Sequence, residues 1–117
     1  MTSADRIDPA ERGATTIADR VLAKIASRAA REALPHAPEA ARPPDATVVV
    51  HHDSARFQIT LELGYPSDIG GQCAAVRRRV AHRVKELADL DVPEVAVHVE
   101  RLHPTYVAHE PSRGRVR

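Results

Sequence analysis

Phe57, Ile59, Leu61 and Leu63 alternate with Gln58, Thr60 and Glu62, and this period of two constrains the fold more than any other stretch. A strand patterned this way buries one face and wets the other. Its register is well specified, because a slip of one residue would put Phe57 and Ile59 into water. Ahead of it, TVVVH (47–51) is β-branched and dense in valine, and HDSA (52–55) supplies a turn. The two runs read as a hairpin.

Helical spacing flanks the hairpin. Ile17, Val21, Ile25 and Ala29 recur every four residues, with Ala18, Leu22, Ala26 and Ala33 widening the stripe and Arg20, Lys24, Ser27 and Arg31 opposite. Thr16 is the expected N-cap, with Asp19 three positions on. An alanine-rich face lets this helix lie close to its cover, which is expected to be a sheet. On the far side of the hairpin, Gly64, Tyr65 and Pro66 break the strand and Ser67 or Asp68 can cap a second helix. Its expected apolar stripe is Ile69, Cys73, Val76, Val80, Val84 and Leu87, about five turns long. Leu90 to Pro93 end it. Val95, Val97 and Val99 then alternate with Ala96, His98 and Glu100 as a third strand.

The expectation is an α+β fold in the order helix, hairpin, helix, strand. It is a two-layer sandwich in which a three-stranded mixed sheet carries both helices on one face. The third strand should run parallel to the second through a right-handed crossover, and it is placed beside the first. Residues 1–12 read as a flexible lead and 13–103 as the single domain. Within the domain, 35–46 is a mobile connector rich in proline and alanine, and 104–117 is a disordered basic tail. The apolar residues amount to 43% of the chain but aromatics only 3%, with no tryptophan. The core is therefore small and built from Val, Ile, Leu and Ala.

Chemistry is hard to place on this framework. The one cysteine, Cys73, lies on the apolar stripe of the second helix and reads as a small buried hydrophobe; alone it makes no intrachain disulfide. Seven histidines invite a metal site. His36 and His109 fall in connectors, however, and His82 and His98 on wetted faces, so they do not converge. His51, His52 and Asp53 form the one compact cluster, at a hairpin turn where aspartate favours the bend. No serine sits in a Gly-x-Ser-x-Gly elbow, and Gly70-Gly71 lacks the rest of a phosphate loop. No catalytic residue, metal or cofactor is expected. A cleft lined by His51, His52 and Asp53 would argue for an enzyme.

Net charge is +1 with 28% charged residues, so any electrostatic bias must be local. The run Arg77-Arg78-Arg79, continued by Arg83 and Lys85, is the main such candidate and could track phosphates. A solvated helix face accounts for it equally, and the sheet lacks the exposed aromatics that stack bases. No stretch reaches the length of a membrane span, and MTSADRIDPAERG carries no pattern of an export signal. The expected compartment is the cytoplasm.

RGATTIADRVLAKIASRAAREA (12–33) resembles the opening of the alkaline shock protein 23 family, a group of bacterial envelope stress response proteins. RFQITLELGYPSDIGGQCAAVRRRVAHRVKELADLDVPEVAVHVERL (56–102) resembles its main block, a strand ending in a Gly-Tyr turn, a long helix and a valine-rich closing strand. Together they cover 69 of 117 residues. The match is closest in character to the short, alanine- and arginine-rich members of actinobacteria. It departs at LPHAPEAARPPDA (34–46), where members have a Gly-Val turn. The resemblance implies a non-enzymatic cytoplasmic protein of cell-envelope homeostasis that self-associates. In some members a small integral anchor protein holds it at the membrane.

The expected mode of action is contact between proteins. The candidate surfaces are the polar sheet face at Gln58, Thr60, His98 and Glu100 and the basic helix stripe at Arg78, His82 and Lys85. A sheet edge is a further contact option. The alternative is a small nucleic-acid-binding module using Arg77 to Lys85.

Overall fold

The computed structural model describes residues 9–104, with side chains from residue 18 onward. Two helices and a three-stranded mixed sheet follow in the order α1 (Pro9–Glu32), β1 (Asp45–His51), β2 (Ser54–Tyr65), α2 (Ile69–Ala88) and β3 (Asp91–Pro104). α1 starts earlier than the sequence pattern suggests. Residues 9–12, read as flexible lead, are helical, and Thr16 lies inside the helix rather than at its cap. A proline is tolerated in the first turn, where its missing N–H would have had no partner. The expectations for residues 1–8 and for 105–117 lie outside the described residues.

β1 and β2 pair antiparallel with Val48 opposite Phe57 and His51 opposite Ser54, leaving His52 and Asp53 as a two-residue loop. His52 takes the left-handed conformation (φ 60°) that such a loop requires. β2 and β3 pair parallel, with Phe57, Ile59 and Leu61 opposite Val95, Val97 and Val99. The strand order is β1-β2-β3, so β3 lies beside β2 and not beside β1 as expected. Burial explains it. Phe57, Ile59, Leu61 and Leu63 are all at most 2% exposed, which a strand achieves in the middle of a sheet and not at its edge.

β3 departs from strict alternation twice, and each departure serves the register. Val92 and Pro93 together oppose Ala55 of β2, so the proline, which cannot donate to the ladder, sits in a bulge. Residues 91–93 are thus already strand, where the sequence suggested only a helix end. Glu100 is the second extra residue, between the Leu61–Val99 and Glu62–Arg101 pairs. Without it, alternation from Val99 would turn Arg101 toward the core. With it, Leu102 falls opposite Leu63.

The buried residues form one cluster: Leu22, Ala26, Ala29, Ala30 and Leu34, Ala55 to Leu63 in alternation, Val76, Val80, Val84 and Val95. α1 packs against α2, β1 and β2, and α2 also packs against β3. Cys73 is partly buried against this cluster. Three described positions of the expected stripes, Ala18, Val21 and Leu87, fall outside it. Val21 is 52% exposed and Leu87 55% exposed, because each helix turns its outer edge away from the sheet.

Both ends of α2 are held by Asp side-chain or backbone chemistry. Asp68 accepts the Gly71 N–H at 3.0 Å, and Asp89 closes the helix in the left-handed conformation (φ 55°) with its N–H on the Lys85 carbonyl. A Cβ at Gly71 would collide with the Asp68 carboxylate, whereas one at Gly70 would meet open space. The pair of glycines is therefore not simply a flexible start; Gly71 makes room for the cap.

Candidate functional site

The seven residues singled out from the sequence do not assemble into one site. Gln58, Thr60, His98 and Glu100 belong to β2 and β3 on the open side of the sheet. Arg78, His82 and Lys85 stand on α2, whose buried residues Val76, Val80 and Val84 face the core. The core separates the two groups.

On the open face the polar side chains pair across strands. Gln58 Nε2 lies 3.1 Å from His98 Nε2. Arg56 and Glu94, opposite one another in the ladder, approach to 3.8 Å. Both pairs are exposed, and exposed pairs contribute about 0–1 kcal/mol. They fix the surface pattern rather than the stability.

The far end of the same face holds a group that the sequence pattern does not reveal. Glu62 occupies an outward position of β2 yet is only 5% exposed, because the segment joining α1 to β1 folds over it. The Arg42 backbone N–H donates to Glu62 Oε1 at 3.0 Å, and His103 Nε2 donates to the same oxygen at 2.7 Å. These two bonds, the backbone one foremost, hold the Glu62 carboxyl below the ordinary carboxylate range. The His103 and Arg101 charges add to the effect, and desolvation opposes it. The connector is thus tied down. Leu34 is buried in the core, and turns close through Ala37 N–H to Leu34 O and Ala41 N–H to Pro38 O. The segment expected to be mobile thus makes these contacts with the folded body. His103 belongs to β3, as does Pro104, read as the first residue of the tail. Arg42, Pro43, Pro44, Asp45, Thr60 and Glu100 rim a polar depression beside Glu62. Its floor is a carboxylate already engaged by the chain itself.

On the helix layer, the basic run is only partly free. Arg79 Nε reaches Glu32 at 3.3 Å and Arg83 reaches Glu86 at 3.2 Å. Lys85 contacts Asp91 at 3.3 Å and Asp89 at 3.4 Å, bonds that raise its pKa, Asp91 first. Lys85 is therefore engaged at the end of its helix. Arg77 and Arg78 have no ion-pair partner among the described residues, and Arg78 and His82 border a shallow depression with Glu32 and Ala75.

His51 and His52 stand edge to face, ring centroids 4.4 Å apart, both exposed with Asp53 at the hairpin tip. Among the described residues no three His, Cys, Asp or Glu side chains are grouped to hold a metal ion. None of the described helices is long and apolar enough to cross a membrane. Compared with known proteins, the chain matches no family model, no curated protein and no solved structure.

Proposed function

We propose that this chain is a non-enzymatic contact module of bacterial cell-envelope homeostasis, similar in role to the alkaline shock protein 23 family. In this reading it is a two-layer sandwich with both helices on one face. It works in the cytoplasm by self-association and by binding protein partners, among them a small membrane-anchor protein that would hold it at the bilayer periphery. The sequence resemblance over residues 12–33 and 56–102 supplies the envelope role.

The observation that carries the contact mode is the outer edge of β3. This strand runs for 14 residues and, among the described residues, is hydrogen-bonded to a neighbour on one side only. An unpaired edge of that length is a template for adding a strand. Alongside it lies the sheet face with Gln58, Thr60, His98 and Glu100, which extends the contact area and where Val49 is also exposed. Light scattering over a concentration range should show assembly growing with protein concentration. Strictly monomeric behaviour, together with no envelope protein recovered by cross-linking in cells, would sink the reading.

One observation favours a second reading, a nucleic-acid-binding module. Residues 18–32 of α1 and all of α2 carry nine basic and three acidic side chains, while the three strands carry two basic and five acidic. Phosphate contacts release counterions, so binding of this kind falls steeply with salt. An Arg78→Glu protein that binds an oligonucleotide as well as the parent removes this reading.

A further inference from the structure

The near-neutral chain is strongly segregated in charge, and the basic side has an apolar seam. Val21 and Ile25 of α1 face Leu87 of α2 across a half-open groove of about 220 Å³, rimmed by Lys24, Arg28 and Arg83. Two deficits coincide there. Val21 and Leu87 keep more than half of their surface in water, and Lys24 and Arg28 have no ion-pair partner among the described residues. Scattered exposed aliphatics need no explanation, but a concave apolar strip edged by two uncompensated cations, with Arg83 beside them on Glu86, is a surface awaiting a complement.

We propose that this groove receives an acidic amphipathic helix of a protein partner. Its apolar residues would enter between α1 and α2 while its carboxylates meet Lys24, Arg28 and Arg83. Shape and charge select this occupant. The volume is below the roughly 300–1,000 Å³ of small-molecule pockets, so it suits inserted side chains and not a cofactor. A third helix laid along the furrow between two packed helices is the ordinary way to fill such a furrow. The basic rim then selects acidic flanks and disfavours basic ones. A bilayer surface fits less well, because interfacial anchoring relies on protruding Trp, Phe or Leu side chains. Here the apolar surface is recessed and has no aromatic residue. A nucleic acid would use the cations but not the apolar seam.

The inference shares with the proposed role only that the chain acts by contact. Light scattering tests self-association through the sheet; the following titration tests the helix groove. The probe is a synthetic helix of about 20 residues, long enough to hold its own helicity. It carries leucines at i, i+4 and i+7 spacing on one face and glutamates beside them, and a control peptide has lysine at every glutamate. Binding is followed by fluorescence anisotropy to the full chain, with circular dichroism melts confirming that each variant is folded. The acidic peptide should saturate, Leu87→Ser should weaken it by about tenfold or more, and Lys24→Glu with Arg28→Glu should reverse the preference toward the basic peptide. Saturable binding lost in both variants supports the groove. Absence of saturation, equal binding of the two peptides, or binding indifferent to both variants overturns it. So does binding of phosphatidylglycerol vesicles or an oligonucleotide that the same variants abolish while leaving the acidic peptide untouched.

Discussion

The two outer surfaces of this molecule handle their charges in opposite ways. On the open sheet face, Arg56 meets Glu94, Gln58 meets His98, and Glu62 takes Arg42 and His103. On the helix layer, Arg77, Arg78, Lys24 and Arg28 are left without ion-pair partners among the described residues, beside the exposed Val21 and Leu87. The difference has a geometric origin. Strands place side chains from three chain segments about 5 Å apart on one face, so complementary groups meet by register. Helices present neighbours only three or four positions apart, and in α2 those neighbours are mostly arginine. The sheet face pairs much of its polar surface across strands, whereas the helix layer pairs Arg79, Arg83 and Lys85 and leaves those four cations without an ion-pair partner among the described residues.

The comparison depends first on the core that separates the surfaces. Ile59→Ala should cost about 2–5 kcal/mol in chemical denaturation, since the side chain is fully buried between the helices and the sheet. An intact stability curve would mean that the two surfaces are not joined through a shared core.

Glu62→Gln tests the internal pairing. The carboxyl is depressed in the folded chain, so its contribution to stability is present at neutral pH. It is lost as pH falls from the ordinary glutamate range through the lower folded value. The parent should therefore lose melting temperature on that acid limb, and the Gln variant should start lower at neutral pH and show a flatter limb. Faster proteolysis between Ala33 and Pro44 in the variant would confirm that Glu62 holds the connector.

Smaller effects separate the two glycines of α2. Gly70→Ala should stabilise by about 0.5–1 kcal/mol, having open space and a more rigid unfolded chain. Gly71→Ala should show no such gain, because displacing the Asp68 cap costs about 1 kcal/mol and offsets it. Equal melting shifts in both would remove the role assigned to the cap. Smallest of all, Gln58→Ala and Arg78→Glu should each stay within about 0.5 kcal/mol of the parent. Their consequences belong to binding, read by assembly for the first and by oligonucleotide affinity for the second.

The helix and strand pattern was legible because it is periodic. Phe57 to Leu63 and Val76 to Val84 repeat at the spacing their elements impose, and both sets are buried. Val21 and Leu87 fit the same periodicity and are exposed, because a pattern specifies a stripe but not how much of it the neighbouring element covers. The candidate residues were legible only as wetted positions. That Gln58 and His98 would touch depends on β3 lying beside β2, and no local pattern encodes that neighbour.

By itself the sequence determined the α+β class, the order of the elements, the buried face of β2 and α2, and the parallel course of β3. These follow from residue spacing along a chain with fixed backbone geometry. Tertiary structure alone decided that β2 is central, that Glu100 bulges so Leu102 and not Arg101 joins the inner side, and that the connector closes over Glu62. Each of those outcomes joins residues distant in the chain, among them Arg42, Glu62 and His103. Their free energy lies in burial and in hydrogen bonds that exist only after the chain has folded.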